Sequence, residues 1–305
     1  MKHIIYFSLA LTFSSVLHAQ DSSLLKMLND SMTANVKPFY VTGTFKAMHI
    51  VNMQTIEAPA AGALNFVIQH RFGQLNSGAY NFFGLDNATL RLGLDYGITD
   101  RFTVGIGRSS YQKTFDSYLK YKLLRQTDGS EKMPLSLSVL GTINYVTLDF
   151  PASEKPDMTT GDRISYTAQL LIARKFSRII SIQIVPTYLH YNLVQTAGDK
   201  NDVFALGMGG RVKITKRMSI NVEYNYLPTG QIVSSEIHNS FSLGWDIETG
   251  GHVFQLVFTN SQSVLESQYI TQTTGSWGNG GIYFGFNISR NFNLTKKAKS
   301  SVKTN

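Results

Sequence analysis

The chain has no cysteine, only 7 prolines in 305 residues, and charged side chains at no more than 16%. Each shortage excludes something. Without cysteine no disulfide can staple the fold. Scarce proline suits a chain whose amides mostly sit in hydrogen-bonded ladders, because proline brings no N–H to a ladder. The charge content lies well under the ~25% of ordinary soluble domains. After residue 19 no stretch approaches the ~18 consecutive apolar residues of a membrane helix, so no such helix is expected. The net charge is +8, but Lys2 and the four lysines Lys296, Lys297, Lys299 and Lys303 account for five of it, leaving +3 on the body. That is not the uniformly basic surface of a nucleic-acid binder, and no zinc-finger spacing, basic helix or RNA-binding motif is present, so nucleic acid is excluded as a partner.

What is present is alternation. In Met218 to Tyr226 every second residue is apolar and every other one polar, and comparable runs recur down most of the chain. A period of two places one face in an apolar medium and the other in a polar one. The first stretch differs: Lys2 and His3 precede the apolar run Ile4 to Val16 and a Leu17-His18-Ala19 exit, the pattern of a secretory signal peptide cleaved after Ala19. An exported chain of alternating strands, with aromatics at 12%, is expected to be an all-β, transmembrane, antiparallel up-and-down β-barrel.

Twelve strands are expected, near 62–72, 88–98, 102–109, 115–126, 135–149, 163–176, 179–194, 203–214, 218–227, 238–248, 252–259 and 281–292. Tight connections at 99–101, 177–178, 215–217 and 249–251, with a longer one around 127–129, alternate with mostly longer ones such as 73–87, 150–162 and 260–280. The short set belongs on the periplasmic side. Both ends of such a chain lie in the periplasm, so the count is even. A further strand-like segment, Thr44 to Glu57, would make thirteen unless it forms a hairpin, enters the lumen or stays in the periplasm, and fourteen strands is the alternative. Upstream, Ser22 or Ser23 caps a short helix carrying Leu24, Leu25, Leu28 and Met32, which either docks as a plug or frays. The expected division is a signal peptide at 1–19, a periplasmic or plug segment at 20–61 with a possible first strand pair at 44–57, a barrel at 62–294, and a basic disordered tail at 295–305.

The alternation assigns faces. Leu90, Leu92, Leu94 and Tyr96 meet lipid while Thr89, Arg91, Gly93 and Asp95 face inward; Phe241, Leu243 and Trp245 point outward and Asp246 inward. Tyr96, Tyr224, Tyr226, Trp245 and Phe292 near strand ends suit interfacial girdles. The segments Gln69-His70-Arg71-Phe72-Gly73, Phe83-Gly84-Leu85-Asp86, Leu90 to Asp100 and Gly105-Ile106-Gly107-Arg108-Ser109 resemble a family of uncharacterised outer-membrane β-barrels of Gram-negative bacteria, the likeness running from about Thr44 to Phe292. The resemblance implies fold and an outer-membrane location. It implies no catalytic residue.

Chemical motifs are few. Gly105-x-Gly107 and Gly207-x-Gly209-Gly210 open no helix, so they are read as inner-face glycines that relieve crowding rather than phosphate loops. His70, His190, His238 and His252 lack ligand spacing, and no cofactor or metal is implied. A barrel hydrolase needs serine, histidine and an orienting partner converging at the rim; Ser109 with His70 is a candidate pair, although a serine and a histidine on adjacent strands are nearly unavoidable in such a chain. The candidate lumen charges are Arg71, Arg91, Lys120, Lys122, Lys175, Arg211 and Lys213 against Asp95, Asp116, Glu223, Asp246 and Glu248. They form either a mutually satisfied network or a narrow, weakly anion-preferring passage. Trp277, set among glycines in the long loop after residue 260, suits a recognition tip. The function expected is therefore a narrow small-solute channel, with an accessory subunit of an envelope assembly as the alternative and a membrane-embedded hydrolase as the second. Its partners are outer-membrane lipid and envelope proteins met through the long outer loops.

Overall fold

A computed structural model describes residues 25–27, 39–129, 132–149 and 158–294. The signal peptide and the basic tail expected from the sequence lie outside these residues, as does most of the segment around Leu24 to Met32, of which residues 25–27 are helical and exposed. Twelve strands form one closed antiparallel barrel. They are β1 (Ala63–Gln74), β2 (Ala88–Gly97), β3 (Phe102–Ser109), β4 (Thr114–Leu124), β5 (Ser136–Val146), β6 (Ile164–Lys175), β7 (Ile180–Tyr191), β8 (Asp202–Lys213), β9 (Met218–Tyr226), β10 (Ser240–Glu248), β11 (His252–Thr259) and β12 (Tyr283–Asn293). Each pairs with the next, and β12 closes on β1 with Phe292 opposite Leu64. Closure leaves no edge, which matters in lipid because an unpaired backbone amide or carbonyl finds no water there. The twelve-strand expectation holds, and fourteen is set aside.

The period-two pattern sorts the wall as expected. Along β2, Arg91, Gly93 and Asp95 are buried inside while Leu90, Leu92 and Leu94 are exposed outside. Gly105 and Gly107 face the interior because bulky groups lie over them: a Cβ on Gly105 would come within 2.0 Å of the Tyr118 ring, and one on Gly107 within 2.6 Å of the Arg91 guanidinium. On β7, Pro186 has no N–H to give, and the β6–β7 register is interrupted between Gln169↔Thr187 and Ile172↔Ile184.

Turns at one end are tight, as in Ile98 and Thr99 donating to the Phe102 carbonyl at 2.9 and 3.2 Å. The long connection at that end, between β4 and β5, has a specific use. Its Thr127–Asp128 pairs antiparallel with Phe39–Tyr40 of the incoming N-terminal segment, and the Arg125 guanidinium lies 3.9 Å from the centre of the Tyr40 ring. At the opposite end the connection between β11 and β12 does not project outward. It folds into the barrel and carries a short helix, α1 (Glu266–Thr271), all of whose residues are buried.

Candidate functional site

The lumen is filled by two inserts, one from each end. The strand-like segment expected at Thr44 to Glu57 is not a wall strand. It enters at the turn end, where Lys175 Nζ donates to the Thr42 carbonyl at 2.8 Å and Arg211 Nη2 to the Gly43 carbonyl at 3.1 Å. It reverses through a tight turn in which Ile50 N–H donates to the Met53 carbonyl and Thr55 N–H to the Met48 carbonyl, both at 2.8 Å. It then returns to β1, so the segment is a hairpin standing inside the barrel.

The hairpin tip is held by the wall's side chains rather than by a strand ladder. One oxygen of Glu223, on β9, accepts the amides of Val51, Asn52 and Met53 at 3.0, 2.9 and 3.0 Å. Three amides converging on one carboxylate form an anion-binding turn, with hydrogen bonds strengthened by the charge. Around it, Gln183 both accepts from Ile56 N–H and donates to the Gln54 carbonyl at 2.8 Å. Gln255 reaches the Ile50 carbonyl at 2.6 Å, and Asn287 the Val51 carbonyl at 2.9 Å. Three glycines make the seat. A Cβ on Gly207 would stand 2.6 Å from Met53 Sδ, on Gly209 2.5 Å from Ile50 Cδ1, and on Gly244 2.9 Å from Val51 Cγ2. The second glycine motif of the sequence is thus the socket of the hairpin tip.

The lumen charges expected from the sequence face inward, and most are committed. Arg91 binds Asp116 through two bonds of 3.0 and 2.5 Å and reaches Gln69 at 3.0 Å. Asp95 accepts from the Tyr118 hydroxyl at 2.7 Å and from Asn65 at 2.8 Å. Lys120 donates to the hairpin carbonyls of Thr55 and Glu57 at 3.1 and 3.0 Å. Arg71 bonds the side-chain oxygens of Asn52 and Asn287, both at 2.8 Å. Asp246 accepts from Ser219 and Gln255 at 3.2 and 2.6 Å. At the turn-end mouth, Lys122 and Lys213 are half-buried on the inner face, and Lys46 of the hairpin pairs with Glu248 at 2.8 Å. Several bases therefore serve as donors to hairpin carbonyls, so their surplus over acids is not a free field. Burial, reinforced by Arg91, Lys120 and Arg71, holds His49 of the hairpin neutral, well below the usual histidine range.

The second insert closes the other half. Gln268 of α1 donates to Thr114 and to Gln112 at 3.0 and 3.1 Å, and Gln112 in turn reaches Gln272 at 3.1 Å. The Tyr191 hydroxyl donates to the Ser267 carbonyl at 2.7 Å, and Asn144 to the Ser267 hydroxyl at 3.2 Å. Burial pushes the Glu266 carboxyl up to about 7; Asp116 adds to the rise, while a backbone hydrogen bond, Arg91 and Lys120 oppose it. Nothing in the sequence marks α1, because six helical residues inside a long loop leave no periodic signal. Trp277 does not stand out as a tip: its indole N–H donates to the Phe241 carbonyl at 3.0 Å and its ring packs edge-on to Phe241 at 5.2 Å.

Ser109 and His70 do not converge. Ser109 is buried on the inner face opposite Arg91, whereas His70 lies on the lipid face, stacked on Phe286 with ring centres 4.8 Å apart. Among the described residues no group of His, Cys, Asp and Glu side chains is arranged to hold a metal ion.

A closed, even-stranded antiparallel barrel with an apolar exterior and a polar interior defines a transmembrane barrel of the outer-membrane type. The chain belongs to the family described as "Membrane bound beta barrel domain (DUF5777)", whose model matches residues 45–292, and its place is the outer membrane. The match begins at Phe45, so the hairpin falls within the family's domain. Among solved structures, the chain is similar to the NanC porin, at 7% identity and a TM-score of 0.47, over 74% of this chain and 97% of that one. An outer membrane channel from Pseudomonas putida F1 matches at 13% identity and a TM-score of 0.44, over 77% and 97%. The outer membrane phospholipase A of Escherichia coli matches at 9% and 0.43, over 78% and 92%. These are likenesses of barrel architecture alone. A search of curated proteins finds no match.

Proposed function

We propose that the protein is a gated passage for small solutes, held shut by the hairpin and by α1. One observation carries this reading: the wall leaves its lumen open by placing glycine at Gly207, Gly209 and Gly244, and the space is taken by a segment tied down through side-chain to backbone hydrogen bonds. A barrel built only to be solid would fill its interior with its own side chains, as small barrels do. Bonds from side chains to a turn can exchange for water one at a time, unlike a strand ladder in the wall.

Planar-bilayer recording tests this. The intact chain should open only rarely, and a chain lacking residues 39–58 should open far more often, with α1 as its remaining barrier. Silence of both would favour the accessory-subunit reading. That alternative has its own support in the loop after β1, where Tyr80, Phe82 and Phe83 are exposed and the last two hold φ of 45° and 53°. Strained, exposed aromatics on an outer loop suit a partner surface.

A further inference from the structure

The lumen wall is electrically lopsided. The committed charges sit on β1, β2, β4, β8, β9 and β10, whereas the inward residues of β5, β6 and β7 are uncharged from Ser136 to Leu189, apart from Lys175 at the turn-end mouth. Unpartnered buried polar atoms occur around the wall, Gln69, Asn221 and Asn225 among them, but on this neutral side they are mostly hydroxyls with no charge beside them. Among the described residues, Ser138 Oγ, Thr142 Oγ1, Thr167 Oγ1 and the side-chain oxygen of Asn144 are buried without a hydrogen-bond partner. Thr142 stands directly opposite Thr167 in the β5–β6 register, and Ser138 and Asn144 lie below and above them on the same inward row of β5. Between these rungs come Leu140 and Leu171, both buried.

We propose that the solute is a neutral, polyhydroxylated molecule and that it travels along this β5–β7 wall; the proposal rests on the gated-passage reading. Buried hydroxyls without partners disfavour the closed state, and a hydrated or solute-filled lumen satisfies them. A hydroxyl both donates and accepts, so a ladder of them matches a polyol or sugar edge in either orientation. Leu140 and Leu171 offer the apolar strip that the C–H face of a sugar ring covers. A charged solute finds no counter-ion on this side and has to shed its hydration, at a high cost in a narrow apolar-walled space. The gate is placed to suit: Asn144 and Tyr191 hold α1 to this wall through neutral hydrogen bonds, so displacement of α1 uncovers the ladder.

The test is swelling of liposomes carrying the full chain, in isosmotic glucose or sorbitol against gluconate or glucosammonium of nearly the same size. Neutral solutes should enter at least ten-fold faster than either ion. Thr167→Asp should slow the neutral solutes several-fold and favour the glucosammonium cation. Because the chain has no cysteine, Thr142→Cys gives a second reading that requires only a mild change: its alkylation by a small uncharged reagent should slow several-fold when sorbitol is in excess. Entry of gluconate or glucosammonium as fast as glucose, or alkylation indifferent to sorbitol, overturns the solute assignment and leaves the gated passage standing. Failure of every solute to enter overturns the solute assignment, and together with silence of the hairpin-deleted chain in bilayers it overturns the gated passage as well.

Discussion

Glu223 shows what one side chain does here. Its carboxylate takes three tip amides in a buried setting, and hydrogen bonds to a charged group contribute about 1.5–3 kcal/mol each against water. Glu223→Gln keeps an acceptor oxygen but loses the charge, so the hairpin should loosen while the barrel stays folded; limited proteolysis near Ile50 to Gln54 measures it, and unchanged protection would deny Glu223 its role. The glycines separate by what their missing Cβ would meet. At Gly207 the neighbours are Met53 Sδ at 2.6 Å and Asn225 Oδ1 at 2.9 Å, both on side chains that can turn aside, so Gly207→Ala should be milder than Gly207→Val, which should displace the tip and raise conductance. At Gly105 the neighbour is the Tyr118 ring, pinned by its 2.7 Å bond to Asp95, so Gly105→Ala should cost about 1–3 kcal/mol as an overpacked site. Lower heat resistance of the folded band on a gel is the readout. That these glycines relieve crowding was legible in the sequence; that Gly207 and Gly209 face Met53 and Ile50 was not, since nothing local links residues so far apart in the chain.

At the level of elements, α1 is the part whose docking responds to proton concentration. Burial holds the docked Glu266 carboxyl at about 7, above the ordinary ~4.3 of a glutamate in water. Between those values the docked state binds more protons than the released one, so docking weakens as pH rises through this window and the full penalty, about 3–4 kcal/mol, is present above 7. Conductance should therefore climb from pH 5 to pH 8, and Glu266→Gln should flatten the profile; a profile that persists in the variant assigns the titration elsewhere. The helix is latched by Gln112, whose φ of 50° and that of Lys113 at 49° put two non-glycine residues in the left-handed region, a strain that aims the Gln112 amide at Gln268 and Gln272. The wall elements were readable because a period of two persists over eight to twelve residues in each strand. The inserts obey no such period: residues 44–57 alternate like a strand yet are buried on both sides, and only the parity of the barrel marked them as anomalous.

For the molecule as a whole, the division between lipid face and lumen is the strongest constraint. Leu92 is 44% exposed on the outer face, where an arginine near the membrane midplane costs about 2–4 kcal/mol. Leu92→Arg should impair assembly, while Thr89→Arg, half-buried on the inner face near the outer end, should be milder. Equal yields of folded barrel from the two would refute the face assignment. The sequence alone suggests the same leniency for Ser242, but Ser242 is buried and bonded to Asn52 and Thr259, so Ser242→Arg should unseat the hairpin. The hairpin also sets a timetable. It precedes every strand in the chain, yet the groups that lock it, Glu223 on β9, Gln255 on β11 and Asn287 on β12, are among the last to be synthesised. Sealing is therefore the final act of biogenesis: a nascent barrel that has not received its last four strands can touch its stopper through Lys120 and Gln183 but has no carboxylate with which to seize the tip.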